Sequence, residues 1–180
     1  MTDRNKTYAN NRLIGIQRRQ LMHDELFHRD IARLPTKDRL THLVLHCSKY
    51  CGYLYSSLSK KEDVLVDFTI VTISILNTLN SKITLETLDI PLVPEGIEKS
   101  LVIQTGRLAS ACERIDHLED WSYKERIIAE SRTILGIIFG YFDHHNLDLF
   151  AMISYRLEGV QKKSIFYKDL IEIYNALLAQ

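Results

Sequence analysis

With 180 residues the chain is long enough for one ordinary domain or two closely joined halves, and a core of that size buries about 70% of the unfolded surface without a disulfide or a metal. Lysine plus arginine number 23 and aspartate plus glutamate 23, so the formal net charge is zero; that argues against bulk attraction to nucleic acid or to an anionic membrane and leaves only a local basic patch open. A hydrophobic content of 46% with 26% charged residues excludes a disordered chain, and seven glycines with three prolines are few enough to favour helices.

In chain order, residues 1–10 are polar and predicted to fray. Apolar residues then recur at helical spacing from about Asn11 to Leu34, where Pro35 stops the helix. Thr36 is placed to cap a second helix running to about Leu58, and a third covers about Glu62 to Asn80. Residues 81–95 hold two of the three prolines and read as a linker with one short helical turn. The pattern then restarts. A helix from about Glu95 to His117 leads through a turn, with Asp120 or Ser122 as cap, into a helix ending near His145, with Asn146 as a left-handed stop. Two shorter helices follow over about 147–161 and 166–179. The predicted fold is therefore all-α, a bundle of long antiparallel helices in one domain over 1–180. Within it, an N-terminal helix (1–35) and a C-terminal helix (166–180) flank a first half (36–90) and a second half (95–165).

Those halves are candidates for an internal repeat: LVLHCSK from Leu43 aligns with LVIQTGR from Leu101, and Ile70, Ile73 and Ile75 align with Ile134, Ile137 and Phe139. The most apolar run, Ile134 to Phe142, is nine residues long against the ~20 that span a bilayer, so no membrane association is expected. No apolar leader begins the sequence, and the odd set Cys47, Cys51 and Cys112 indicates no disulfide framework. A cytoplasmic location is the expectation. Cys47 and Cys51 fall on the apolar face of the second helix, and the cysteines read as small buried hydrophobes.

Few residues carry chemistry. His42 and His46 share a polar helical face, a spacing able to hold a metal but more simply solvated or structural. Asp24 and His28 are spaced to pair, and His144-His145 sit against a helix C-terminus. Asp63 and Asp67 repel each other at i,i+4, which calls for a basic neighbour (Lys49, Lys60 or Lys61) or for Mg²⁺. Gly-rich phosphate loops, a Gly-x-Ser-x-Gly elbow and a Cys-x-x-Cys pair are missing.

The segment LVIQTGRLASACERID, from Leu101 to Asp116, resembles the opening helix of MazG-like nucleotide pyrophosphohydrolases, and ERIIAESRTILGIIFGYFDHHNLDLFAMISYRLEGVQKK is similar to the rest of that module. Residues from about Leu40 to Leu88 resemble a more divergent copy. The resemblance implies an all-α tandem pseudo-dimer that cleaves nucleoside triphosphates to the monophosphate and pyrophosphate, with Mg²⁺ held between a Glu-Glu-x-x-Glu helix and a Glu-x-x-Asp helix. Here the first motif is replaced by Ile103, Gln104 and Arg107 in the second half and by Leu45, His46 and Lys49 in the first. Of the second motif Glu130 stands alone, with Thr133 in place of the aspartate, while the other half offers Asp63 and Asp67.

The metal-site candidates are thus Asp63, Asp67 and Glu130, and an Arg or Lys facing Glu130 or Asp67 is expected to replace the metal with a salt bridge. The anion-binding candidates are His46, Lys49, Gln104 and Arg107. No catalytic residue is assigned. The first functional expectation is a degenerate member that binds a nucleotide or phosphorylated ligand with Mg²⁺-dependent hydrolysis weak or lost. An active pyrophosphohydrolase and a helical interaction scaffold are the alternatives. Nucleic acid is disfavoured as a partner, and apolar Met22, Phe27, Tyr53 and Tyr55 leave a homodimer open.

Overall fold

The computed structural model describes residues 3–56, 59–88, 90, 96–117 and 121–179, with side chains from Thr7 onward. These form α1 (Asp3–Phe27), α2 (Arg29–Ala32), α3 (Thr36–Ser56), α4 (Lys61–Thr78), α5 (Ile97–Glu113), α6 (Tyr123–His144), α7 (Leu149–Gln161) and α8 (Tyr167–Leu178). Short 3₁₀ turns lie at Leu85–Thr87 and Arg114–Asp116, and among the described residues there is no strand. The chain is an all-α bundle, and no helix among the described residues is long and apolar enough to cross a membrane.

Helix α4 is the centre of the bundle because its sequence is apolar on every side. Val64, Leu65, Val66, Phe68, Ile73, Ile75 and Leu76 are all buried, and a helix hydrophobic all round must be covered all round. The cover comes from α3, α6, α1 and α7. Helix α5 packs in turn against α3 and α6, so the hairpins α3–α4 and α5–α6 meet first helix to first and second to second. Thr69 and Thr72 sit in this apolar centre with their hydroxyls donating to the carbonyls of Leu65 and Phe68 (2.8 Å each), which removes the cost of burying them unpaired. The three cysteines are buried and free. Burial raises the Cys112 thiol to about 11 and pushes up Cys47 and Cys51, so all three stay protonated and behave as small hydrophobes.

The first helix departs from expectation. It starts at Asp3 instead of near Asn11, and Asn10 at the end of the predicted frayed region and Arg12 just beyond it are tied to distant parts of the chain. Asn10 accepts from the Leu85 amide (2.7 Å) and donates to Glu86, and Arg12 reaches Asp148 (3.0 Å). It also ends early: His28 leaves the helix (φ −129°, ψ 45°) and α2 is a separate turn before Pro35. The second helix begins at Thr36 itself, with Arg39 N–H bonded to Pro35 C=O, so Thr36 is its first residue and not its cap. Ser122 occupies the cap position of α6 without a side-chain bond, and Asp120 lies outside the described residues. Asn146 is left-handed as expected (φ 54°), and Asn80 ends α4 the same way (φ 52°).

The cap of α7 is Asp148, whose Oδ1 accepts from the amides of Phe150 (3.0 Å) and Ala151 (3.1 Å). These bonds, led by that from Ala151, and Arg12 hold its carboxyl below the usual range. Asp148→Ala removes the cap and leaves Arg12 unpaired, so we expect a loss of about 1 kcal/mol in urea denaturation at neutral pH. An unchanged midpoint would show that water replaces the cap at no cost.

Candidate functional site

Two concave regions hold the residues with chemistry, and they are separate. The first is a cleft of about 190 Å³ between α1, α3, α4 and α7. Positions 20, 23 and 24 put Gln20, His23 and Asp24 on one side of α1, and positions 42, 43, 46 and 50 put His42, Leu43, His46 and Tyr50 on one stripe of α3. Helix α4 adds Asp67 and Ser74, and α7 adds Arg156.

Asp24 anchors this cleft. Its carboxylate accepts from Ser74 Oγ (2.6 Å), Gln20 Nε2 (2.9 Å) and Arg39 (3.3 Å), and both ionic side chains are nearly buried. Burial nevertheless raises its pKa, against the opposing pull of Ser74, Arg39 and Gln20. The expected pairing with His28 is thus superseded by one with Arg39. His23, 1% exposed, is driven down to about 3 by burial and by His28 and Arg19, so it is neutral at physiological pH. Burial and Lys49 also lower His46.

The sequence-predicted residues distribute as follows. His46 and Asp67 meet in the cleft. Lys49 stands at its edge, with Nζ 3.2 Å from His46 Nδ1 and 4.7 Å from the Tyr50 ring centre. Asp63 is exposed on α4. Asp67 is held by both ends of the Arg156 guanidinium, at 2.6 and 2.7 Å. Glu130, buried on α6, is paired with Arg126 one turn earlier (2.8 Å). Both carboxylates therefore have basic partners, but these are Arg156 and Arg126 in place of the residues at the motif positions, Lys49 and Arg107. Lys61 pairs with Glu98. Among the described residues no group of three or more His, Cys, Asp or Glu side chains stands close enough to hold a metal ion.

The second region is an open groove of about 640 Å³ between α5 and α6. Arg107, Ser110 and Ala111 share one face of α5, and Arg114, seven residues after Arg107, continues that face from the 3₁₀ turn that follows the helix. Glu125, Arg126 and Ala129 share one face of α6, with Ser122 at its cap position, and Trp121 closes the end. Arg114 lies over the Trp121 ring at 4.6 Å. Among the described residues only Arg126 of the three arginines has a carboxylate partner, so Arg107 and Arg114 keep their guanidinium donors available to an anion. Gln104 sits higher on α5 with a buried, unpartnered Oε1 and does not line the groove.

Compared with family models, with curated proteins and with solved structures, the chain matches none. Function must be argued from these two sites alone.

Sequence reasoning found Arg107 but missed Arg114, Arg126 and Trp121, although the 107–110–111–114 stripe was there to be read. It also missed Gln20, Arg39 and Arg156, whose roles arise from contacts between helices far apart in sequence.

Proposed function

We propose that the protein is a helical binding module for a nucleotide or another phosphorylated ligand, with metal-dependent hydrolysis weak or lost. The observation that supports this best is the groove: the guanidiniums of Arg107 and Arg114, without a carboxylate partner among the described residues, face one open surface, beside Glu125 and the Glu130-paired Arg126, in an otherwise charge-balanced chain. Arginine presents paired N–H donors to phosphate oxygens, and Trp121, stacked under Arg114, holds one of these guanidiniums in place at the end of the groove. A MazG-like ancestry is compatible with the two packed hairpins and remains part of this proposal.

The carboxylates account for the second half of the proposal. A magnesium ion bound at Asp67 or Glu130 must first displace Arg156 or Arg126, whose charge-assisted bonds are short. Mg²⁺ recruitment is therefore opposed at both positions.

The test is a thermal-shift and calorimetry series with inorganic pyrophosphate and the common nucleoside triphosphates, with and without Mg²⁺, alongside an assay for released pyrophosphate. Stabilisation is expected without Mg²⁺ and without turnover, growing with ligand concentration. Arg107→Ala and Arg114→Ala should each weaken binding roughly ten- to a hundredfold. Equal binding by the double variant would overturn the groove assignment. Turnover that needs Mg²⁺ would make the protein an enzyme. Absence of any binding would favour the scaffold reading, for which Tyr155, Ile165 and Phe166, 80%, 90% and 58% exposed, supply apolar surface.

A further inference from the structure

The cleft beside Asp24 shares no lining residue with the arginine groove, and its chemistry is different. Gln20 lines it and is 2% exposed. Its Nε2 is committed to Asp24 and Ser74, but its Oε1 is buried without a partner. A buried carbonyl left so is costly unless something donates to it.

Two imidazoles lining the cleft, His23 on α1 and His46 on α3, have defined hydrogen-bonding ends. An ammonium only donates, so His46 Nδ1 accepts from Lys49 and the neutral ring carries its proton on Nε2. The same reasoning applies to His23, whose Nδ1 faces Gln161 Nε2 at 3.4 Å. The cleft therefore offers the free acceptor of Gln20 and ring N–H donors from α1 and α3. Of the residues that line the cleft, Asp24 is matched with Arg39 and Asp67 with Arg156, and the Lys49 ammonium at its edge already donates to His46, so the charges inside the cleft are spent and favour an uncharged ligand. Val71, Leu157 and Val160 complete the walls with apolar surface. At about 190 Å³ the space falls below the ~300–1,000 Å³ of drug-sized sites and suits a single ring with a short substituent.

We propose that this cleft binds a small, uncharged, planar ligand of the aromatic carboxamide type, its N–H donated to Gln20 Oε1 and its carbonyl accepting from an imidazole N–H. A primary carboxamide places a donor and an acceptor side by side without charge, and its ring packs against imidazole and aliphatic faces.

Benzamide and benzoate test this directly, because they share a shape and differ in charge and in the N–H. Histidine ring resonances of the full-length protein are followed by NMR during titration with each. Saturable shifts are expected with benzamide, with benzoate at least about tenfold weaker. Gln20→Met should weaken benzamide by about tenfold or more. Because Gln20 is buried and its replacement risks the fold, Val160→Phe provides a second variant from the other wall; it fills the space and should abolish benzamide binding while pyrophosphate binding at the groove is unaffected. No saturable shift in the native protein means that water alone satisfies Gln20, and overturns the proposal, as does benzoate binding as tightly as benzamide.

Discussion

Arg39→Met should destabilise the protein by about 3–5 kcal/mol at neutral pH, the usual penalty for removing one partner of a buried ion pair. Arg39 is 8% exposed, as is Asp24, and its guanidinium also donates to the Ala32 carbonyl (3.3 Å). Methionine fills much of the volume but leaves a desolvated carboxylate with the hydrogen bonds of Ser74 and Gln20 and the nearby His28 in place of an ion-pair partner. Asp24 already has a pKa above the ordinary 3.8 in the native protein, so the native state takes up this proton before the unfolded state does. Stability contributed by that uptake is gained as pH falls through the native value and levels off below 3.8. Loss of Arg39 raises the native value further, so the deficit of the variant should shrink on acidification. Urea denaturation near pH 7 and pH 5 measures both effects. Adding Asp24→Asn to Arg39→Met removes the stranded charge and should restore part of the loss at neutral pH. A deficit under about 1 kcal/mol, or one indifferent to pH, would falsify the view that Arg39 holds the Asp24 charge.

The same residues explain how far the sequence could be read. Helix order and most boundaries were legible because α3 and α5 to α8 carry apolar residues at helical spacing, α4 is a long apolar run, and Pro35 and Asn146 act through local backbone geometry. The break at His28 was not legible, since no proline or glycine marks it and its ring packs against His23 at 5.1 Å. For the site, Asp67 lines the cleft while Glu130 lines neither concave region, and the need of both carboxylates for basic partners was legible. The identity of those partners differed for two reasons. Arg126 is one turn away on the same helix and could have been read from its i,i+4 spacing. Arg156 is 89 residues from Asp67 in sequence, and only the packing of α7 on α4 brings them together. Gln20 carried no signal at all: a glutamine on a helix reads as surface, and it becomes informative only once its carbonyl is seen to be buried and unsatisfied.

Acidification should expose a second large effect, centred on His23. Its ring is buried with a native pKa near 3, against 6.5 for an ordinary histidine. Below about pH 6.5 the unfolded chain binds this proton and the native chain does not, so stability falls with pH until the native value is reached. Each pH unit in that window costs roughly 1.4 kcal/mol, or about 2 kcal/mol by pH 5. His46, lowered in the same direction by burial and Lys49, adds to the slope, while Asp24, raised by burial, opposes it at the acid end of the window. His23→Gln replaces the titrating ring with a side chain that still offers an acceptor toward Gln161, and it forfeits the aromatic contact with Phe27 at 5.4 Å. The variant should therefore be less stable than the native protein near pH 7 and lose less on going to pH 5, so that the two stability curves converge. Urea denaturation across that range measures the slope of each. Parallel curves would mean that His23 takes up its proton in the folded state at no cost, and that the low native value is wrong.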